Sequence, residues 1–575
     1  MQEDKNLLAF SGGGIRAATF ALGALEGIRK EKAADIFNHV SAISGGGLTL
    51  AALICWFRSK QDDINANPLT ADDETFDAFK ESVIKRMLKK GLWQDIIWHW
   101  KFFLGSLILL LFSTTIYCLI DRFVCGNVGA LSVMMIMHTA IWQTLYVFMI
   151  FSSLAVIMRT KCIKYWCMAL CGLCLIVLFF FLEPTYFNVE PWFLSDKLNL
   201  MGCINMVLWR ILIGAIVIFF GLIFMPLSQN KRDAIEKILK KICSDTSKGK
   251  TAFNSGYSDI NNKYKNLKPI ISATNIIKNR LVIFKSDEIF QIGQRKYPWK
   301  NKDKLDNIAT VANFTCNFPC AFSPSKVQLD KSIKDSKLNL LDGGILDNLG
   351  LWGPLFSSNI HNPFKKVFSI DAGSPGKEFK SKLWLSILFK LIGSGVSRIE
   401  SITVQLAAIR NHLMWPDKNL SGFYFGHVDM CDDNIDGIIK GLYEAWMRHY
   451  KTKNTKEEIR DGLSWVDDTH IKSLFNMKQS DKIDVKLFEW DNFLEKVKNV
   501  IKLDELYKDV YENLNIKVSS DQKDKPKEEL LFDMDVKIVN CIGVNLGPLT
   551  DKEINAGIRL ARIFTQVVLR VYVQI

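Results

Sequence analysis

Two glycine triplets, a serine and an aspartate are the residues of this 575-residue chain whose types and spacing could do chemistry. The first triplet, Gly12-Gly13-Gly14, stands between the apolar run 7–10 and a series of small helix formers that opens with Ile15 and Arg16. Bare glycine lets backbone N–H groups approach another molecule, and at a helix N-terminus those groups lack intrahelical partners and carry the positive end of the dipole. The stretch reads as an anion cradle. Gly12 to Ala17 also fits the dinucleotide-binding spacing G-x-G-x-x-A. That fold wants an acidic residue ending the next strand, and Asp35 precedes the strand-like 36–44 instead. No Lys-Ser/Thr follows the glycines, which excludes a P-loop.

The second triplet lies in "FNHVSAISGGGLTLAAL", 37–53, where a strand runs into Ser44, then Gly45, Gly46 and Gly47, then a helix. A nucleophile elbow is built this way, because the turn is so tight that the serine's neighbours must be small. The usual G-x-S-x-G appears as Ala42-Ile43-Ser44-Gly45-Gly46, with alanine in the first glycine position. The third piece is "LNLLDGGILDNLG", 338–350, a strand-like run that ends at Asp342 with Gly343 and Gly344 opening the loop. A serine nucleophile needs a base to take its proton and donors to hold the oxyanion that forms on the attacked carbonyl. Ser44 would attack, Asp342 would accept the proton, and the amides of Gly12, Gly13, Gly14 and Gly45 would form the oxyanion hole. Arg16, Gly46, Gly343 and Gly344 would support the two loops, with Arg16 steadying its loop in preference to binding a phosphate headgroup. This chemistry calls for no metal and no cofactor. A Ser-His-Asp arrangement is the rival, and it would need His361, His412, His427 or His449, since the acid precedes the histidine in α/β-hydrolases. His39, five positions before the serine in the same strand, reads as packing.

The order and composition of these three pieces resemble the patatin-like phospholipase family, whose members use a Ser-Asp dyad on an α/β core. The family's G-G-G-x-R loop matches Gly12 to Arg16, its elbow matches Ser44, and its D-G-G/A matches Asp342 to Gly344. Weaker echoes are "ISATN" at 271–275 and "FTCNFPCAFSP" at 314–324. The resemblance spans roughly 5–60 and 265–375 and implies a serine esterase that cleaves a lipid acyl ester, of phospholipase A or lysophospholipase type. An acyltransferase working through the same acyl-enzyme, or a non-enzymatic membrane module with a degenerate hydrolase domain, are the alternatives.

The elements that must position these residues alternate. "KPIISATNI" (268–276), "LVIFKS" (281–286) and "KKVFSIDAG" (365–373) read as strands. "SRIESITVQLAAIRNHLM" (397–414) and "EINAGIRLARIFTQVVLRVYV" (553–573) have helical spacing, and "SSDQKDKPKEE" (519–529) reads as a loop. The expected fold is an α/β patatin-like core, a central sheet flanked by helices, interrupted by a four-helix transmembrane insert. Four apolar stretches carry that expectation, at 102–120, 131–158, 165–182 and 204–227, each near or above the roughly 18–20 residues that a spanning helix needs. The domains would then be 1–95 with the oxyanion loop and elbow, 100–228 in the membrane, and 229–575 with Asp342 and a helical extension.

Charge sets the orientation. Arg159, Lys161 and Lys164 lie between the second and third stretches, whereas Glu183, Glu190 and Asp196 lie between the third and fourth. Lys85, Arg86, Lys89, Lys90 and Lys101 precede the first, and Lys231, Arg232, Lys237, Lys240 and Lys241 follow the last. By the positive-inside rule both soluble halves face the cytoplasm of a multi-pass membrane protein. His138 and Arg210 inside the stretches read as structural. The formal charge of +13, with 49% hydrophobic and 23% charged residues, fits anionic lipid headgroups as partners in place of nucleic acid. Seven of the thirteen cysteines lie between Cys118 and Cys203, and Cys167, Cys171 and Cys174 have no histidine or carboxylate beside them to complete a metal site. No secretory h-region opens the chain, so a reducing cytosol is the expected compartment.

Overall fold

The apolar run after Lys5 has no polar face to turn toward water, and it forms the middle of a sheet. β1 (Asn6–Phe10) is flanked on one side by β2 (His39–Ala42) and on the other by β9 (Lys366–Asp371), both parallel to it. Leu7, Leu8, Ala9 and all four residues of β2 are buried, as befits strands covered on both faces. The computed structural model describes residues 5–60, 68–92, 227–244, 267–286, 288–291, 296–298, 307–318, 322, 324–329, 337–357, 364, 366–372, 424–429, 435–455, 468–483, 489–502, 505–506, 527–542 and 546–573. The four apolar stretches, apart from Leu227, and the 397–414 helix expectation lie outside them. Among the described residues no helix is long and apolar enough to cross a membrane.

Among the described residues the sheet has ten strands in mixed orientation. Its parallel half is β10 (Tyr424–Asp429), β9, β1, β2 and β3 (Lys268–Asn275). Its antiparallel half adds β4 (Arg280–Lys285), β5 (Glu288–Gln291) and β6 (Lys296–Pro298) in a meander. β7 (Ser325–Gln328) and β8 (Lys337–Asp342) form a further antiparallel pair, and β8 joins β3. The strands expected at 268–276, 281–286 and 365–373 are β3, β4 and β9.

β3 organises the site. β4 pairs with its residues 270–275 along one edge, so β2 and β8 must share the other edge. β2 runs parallel to β3 and β8 antiparallel, so their C-terminal ends meet head to head. Ala42 lies opposite Ile271, and Asp342 lies opposite Ala273. Two positions along a strand are about 7 Å.

Helices cover this sheet. α1 (Gly14–Lys30) ends with Arg29 and Lys30, cations that suit the negative end of its dipole. α2 (Ser44–Lys60) is buried all round from Gly45 to Arg58, the mark of an internal helix. α3 (Asp73–Val83) starts on an Asp72 cap, and α4 spans Leu227–Ser244. α5 (Ile308–Thr315) and α6 (Trp352–Ser357) are short. The C-terminal part supplies α7 (Ile435–Thr455), α8 (Asp468–Leu474), α9 (Trp490–Ile501), α10 (Lys527–Asn540) and α11 (Asp551–Val568). α10 begins directly after Pro526, so 527–529 are helical where a loop was expected. Proline cannot continue a helix inward but tolerates a place at its start, and the helix opens just beyond it. α11 is started by a capping box between Thr550 and Glu553 and packs along α1. The expected helix 553–573 is therefore α11, followed by a π-turn at Leu569–Val573.

The chain forms two compact units, one of 1–91 with 235–575 and one of 92–234. The sheet and all helices named here except α4's first residues belong to the first.

Candidate active site

Ser44 opens α2 with φ at +47°, a left-handed conformation that costs a non-glycine residue about 1–3 kcal/mol. Its surroundings hold it there. The Ser44 N–H donates to Thr315 Oγ1 at 2.9 Å, and Cys316 Sγ donates to the Ser44 carbonyl at 3.0 Å. The first helical bond of α2 runs from Gly47 N–H to Ile43 O, so the amides of Gly45 and Gly46 lie in a first turn with no helical acceptor. A Cβ at Gly45 would overlap the Gly14 carbonyl oxygen, and one at Gly46 would sit 2.9 Å from Ser11 O. The elbow and the first glycine loop are thus in backbone contact, which no side chain would permit.

The first loop turns at Gly13 (φ +134°), which caps α1, and Gly14 (φ +65°), its first residue. Gly12 N–H donates to Asn348 O at 2.8 Å, so its hydrogen is engaged within the protein. The available donors of the loop are those of Gly13 and Gly14 at the start of α1. Arg16 is 1% exposed. Its guanidinium donates to the carbonyls of Ala372 and Ile542 and stacks over Phe20, pinning the first turn of α1 to the end of β9. Arg16 is directed at carbonyls, not at a headgroup.

Asp342 ends β8 and is 5% exposed. Its N–H donates to Asn317 O at 2.9 Å, and its Oδ1 accepts from Gly344 N–H at 2.8 Å. The Asn317 side chain donates to Leu340 O at 2.9 Å and holds the end of β8 from its other edge. Residues 315–317, at the end of α5, therefore anchor both Ser44 and Asp342. A Cβ at Gly343 would press on Ile43 at 2.9 Å, and Asn348 Oδ1 occupies the space where Cβ atoms of Gly12 and Gly344 would be. Behind this loop, buried Asp347 accepts from Leu351 N–H at 2.9 Å and Gly353 N–H at 3.1 Å. Burial pushes its carboxyl pKa up while these amides pull it down.

All ten residues expected to form or support the site gather at one end of the β1–β2–β3–β8 region. His39 does not join them. It starts β2, at the end away from Ser44, bonds Asn38 Oδ1 at 2.8 Å and meets Phe364 edge-on. His470 is bound to Val571 O, and His361 and His412 lie outside the described residues, as do Cys167, Cys171 and Cys174. Thr315, Asn317 and Asn348 escaped the sequence reading. Thr315 and Asn317 lie in the "FTCNFP" echo, which marked a turn without saying that its hydroxyl and carbonyl reach the serine and the aspartate, and Asn348 lies in the segment after Asp342, where nothing set it apart.

The sequence model of the patatin-like phospholipase family matches residues 8–116, which hold most of β1, the first glycine loop, β2 and the Ser44 elbow. Patatin-like domains point to lipid acyl hydrolysis. Among solved structures, VipD from Legionella pneumophila aligns over 99% of this chain and 92% of its own, at 13% identity and a TM-score of 0.25. A search of curated proteins finds no match.

Proposed function

We propose that this chain is a serine lipid acyl hydrolase in which Ser44 and Asp342 form the catalytic dyad. The observation that carries the reading is the register on β3, where the strands that end in the elbow and in Asp342 converge two positions apart. Ser44 Oγ attacks the ester carbonyl while its proton passes to the Asp342 carboxylate, whose Oδ1 is held by Gly344 N–H. The carbonyl π electrons move onto oxygen, and the amides of Gly13, Gly14 and Gly45 hold that oxyanion. Collapse of the tetrahedral species breaks the C–O bond, and the departing alcohol takes the proton from Asp342. Water then attacks the acyl-enzyme, giving its proton to Asp342, and collapse releases the fatty acid and returns the proton to Ser44. Losing one oxyanion donor typically costs about 10²–10³ in rate.

The substrate class follows from the family match and from the four apolar stretches, which would keep the site beside acyl chains as a multi-pass membrane protein with a cytoplasmic catalytic domain. The test is labelling of the full chain by a fluorophosphonate probe. The wild type is expected to label, Ser44→Ala to lose labelling entirely, and Asp342→Asn to label at least about a hundredfold more slowly, as for loss of a general base. Equal labelling of wild type and Ser44→Ala would sink the nucleophile assignment.

A further inference from the structure

A single exposed apolar side chain is ordinary, but several close together mark a surface with a use, and among the described residues four large ones are exposed: Ile276, Ile277, Phe318 and Met534. Three of them cluster around the strand that carries Asp342. Ile276 and Ile277 form the tip of the β3–β4 hairpin, at 41% and 58% exposure. The hairpin is tied to β8, since Ile276 N–H donates to Asn339 O at 3.0 Å. Ile276 lies three residues beyond Ala273, the register partner of Asp342, or about 10 Å along the strand. Phe318 stands across β8 from the hairpin, next to Asn317, whose carbonyl accepts the Asp342 amide. Because β3 runs parallel to β2, the hairpin projects past the same sheet end from which Ser44 emerges.

Among the described residues of this rim the exposed charges are cations. Exposed Lys326 and Lys337 sit on the paired strands β7 and β8. The carboxylate of these described segments is Asp342 itself, which is buried. An apolar tip backed by cations matches a bilayer with anionic headgroups, where the tip enters the acyl boundary and each cation near the surface adds attraction.

We infer that Ile276, Ile277 and Phe318 form an interfacial lip that seats the mouth of the Ser44–Asp342 site on an anionic lipid surface. The inference rests on the acyl-hydrolase reading for its consequence, the delivery of an acyl ester to the serine, but its geometry is independent of turnover. Two measurements keep the two apart. In the first, p-benzoylphenylalanine replaces Ile277 in the full chain, which is reconstituted in phosphatidylcholine vesicles with and without phosphatidylglycerol and irradiated. Lipid adducts are expected, with higher yield on the anionic vesicles and falling with added salt. A probe at exposed Asp35, between α1 and β2 at the opposite end of the sheet, is expected to give none. Adducts to a second copy of the chain, equal lipid yield at both positions, or no lipid adduct at Ile277 would each overturn the lip.

In the second, the Ile276→Asp/Ile277→Asp variant is compared with wild type on vesicle phospholipid and on a soluble short-chain ester. The expected loss on vesicles is roughly tenfold or more per side chain withdrawn from the interface, with the soluble ester hydrolysed at the wild-type rate. Equal loss on both substrates, or no loss on vesicles, would overturn the lip. A wild type that hydrolyses neither ester overturns the acyl-hydrolase reading, and the cross-linking still decides the surface.

Discussion

Ser44 shows how a single residue can be forced into a costly conformation by partners that are remote in sequence. Its φ of +47° persists because the N–H and C=O are claimed by Thr315 and Cys316 and because glycines surround it. His39 illustrates the opposite case. Burial, reinforced by Lys268, Lys5 and Lys285, lowers its pKa from 6.5 to about 3. The folded protein therefore holds it neutral, whereas the unfolded chain binds a proton below about pH 6.5. Between those two values the unfolded state carries the extra proton, so stability falls as pH falls, by up to about 1.4 kcal/mol per pH unit from this one group. His39→Gln should flatten that part of the acid limb when unfolding midpoints are measured across pH 7 to 4 by tryptophan fluorescence. Parallel pH curves for the two proteins would remove the histidine from the account.

At the scale of elements, the glycine loops were legible because backbone approach leaves a compositional mark: only glycine fits where Gly45 meets the Gly14 carbonyl. β1, β3, β4 and β9 were legible as apolar runs bounded by polar residues. The β3 register was not, because pairing one strand edge with two partners depends on contacts between residues 42, 271, 273 and 342 that no local window contains. Neither was the partnership of α1 with α11, which joins the two ends of the chain. It rests on small residues and buried ion pairs. A Cβ at Gly23 would lie 2.8 Å from Ala561 Cβ, Arg562 reaches Glu26 at 3.2 Å, and Arg570, just past α11, reaches Glu31 at 2.8 Å. Alanine ordinarily stabilises a helix interior by about 1 kcal/mol over glycine. Here the overlap should win, since forcing extra atoms into a packed contact costs about 1–3 kcal/mol. Gly23→Ala is thus expected to lower the unfolding temperature and to slow fluorophosphonate labelling, because α1 carries the Gly13–Gly14 amides on its first turn. A variant with raised unfolding temperature would show that the helices are not in close contact at this point.

For the whole molecule, the sheet imposes a condition on the segment it encloses. β1 and β2 precede the four apolar stretches, β3, β8 and β9 follow them, and all five strands are hydrogen-bonded into one sheet. A strand pair cannot form across a bilayer, so whatever number of times residues 94–226 cross it, that number must be even. The charge pattern, read by itself, carried the same expectation of an even number. Protease sites introduced in the full chain at two exposed positions, Asp73 before the insert and Lys482 after it, test it directly. Both should be protected in sealed cells and both cut once the membrane is opened from the cytoplasmic side. Protection of one site with cleavage of the other would put β2 and β3 on opposite faces of the membrane. The register that brings Ala42 beside Asp342 would then be impossible, and with it the convergence on which the proposed chemistry depends.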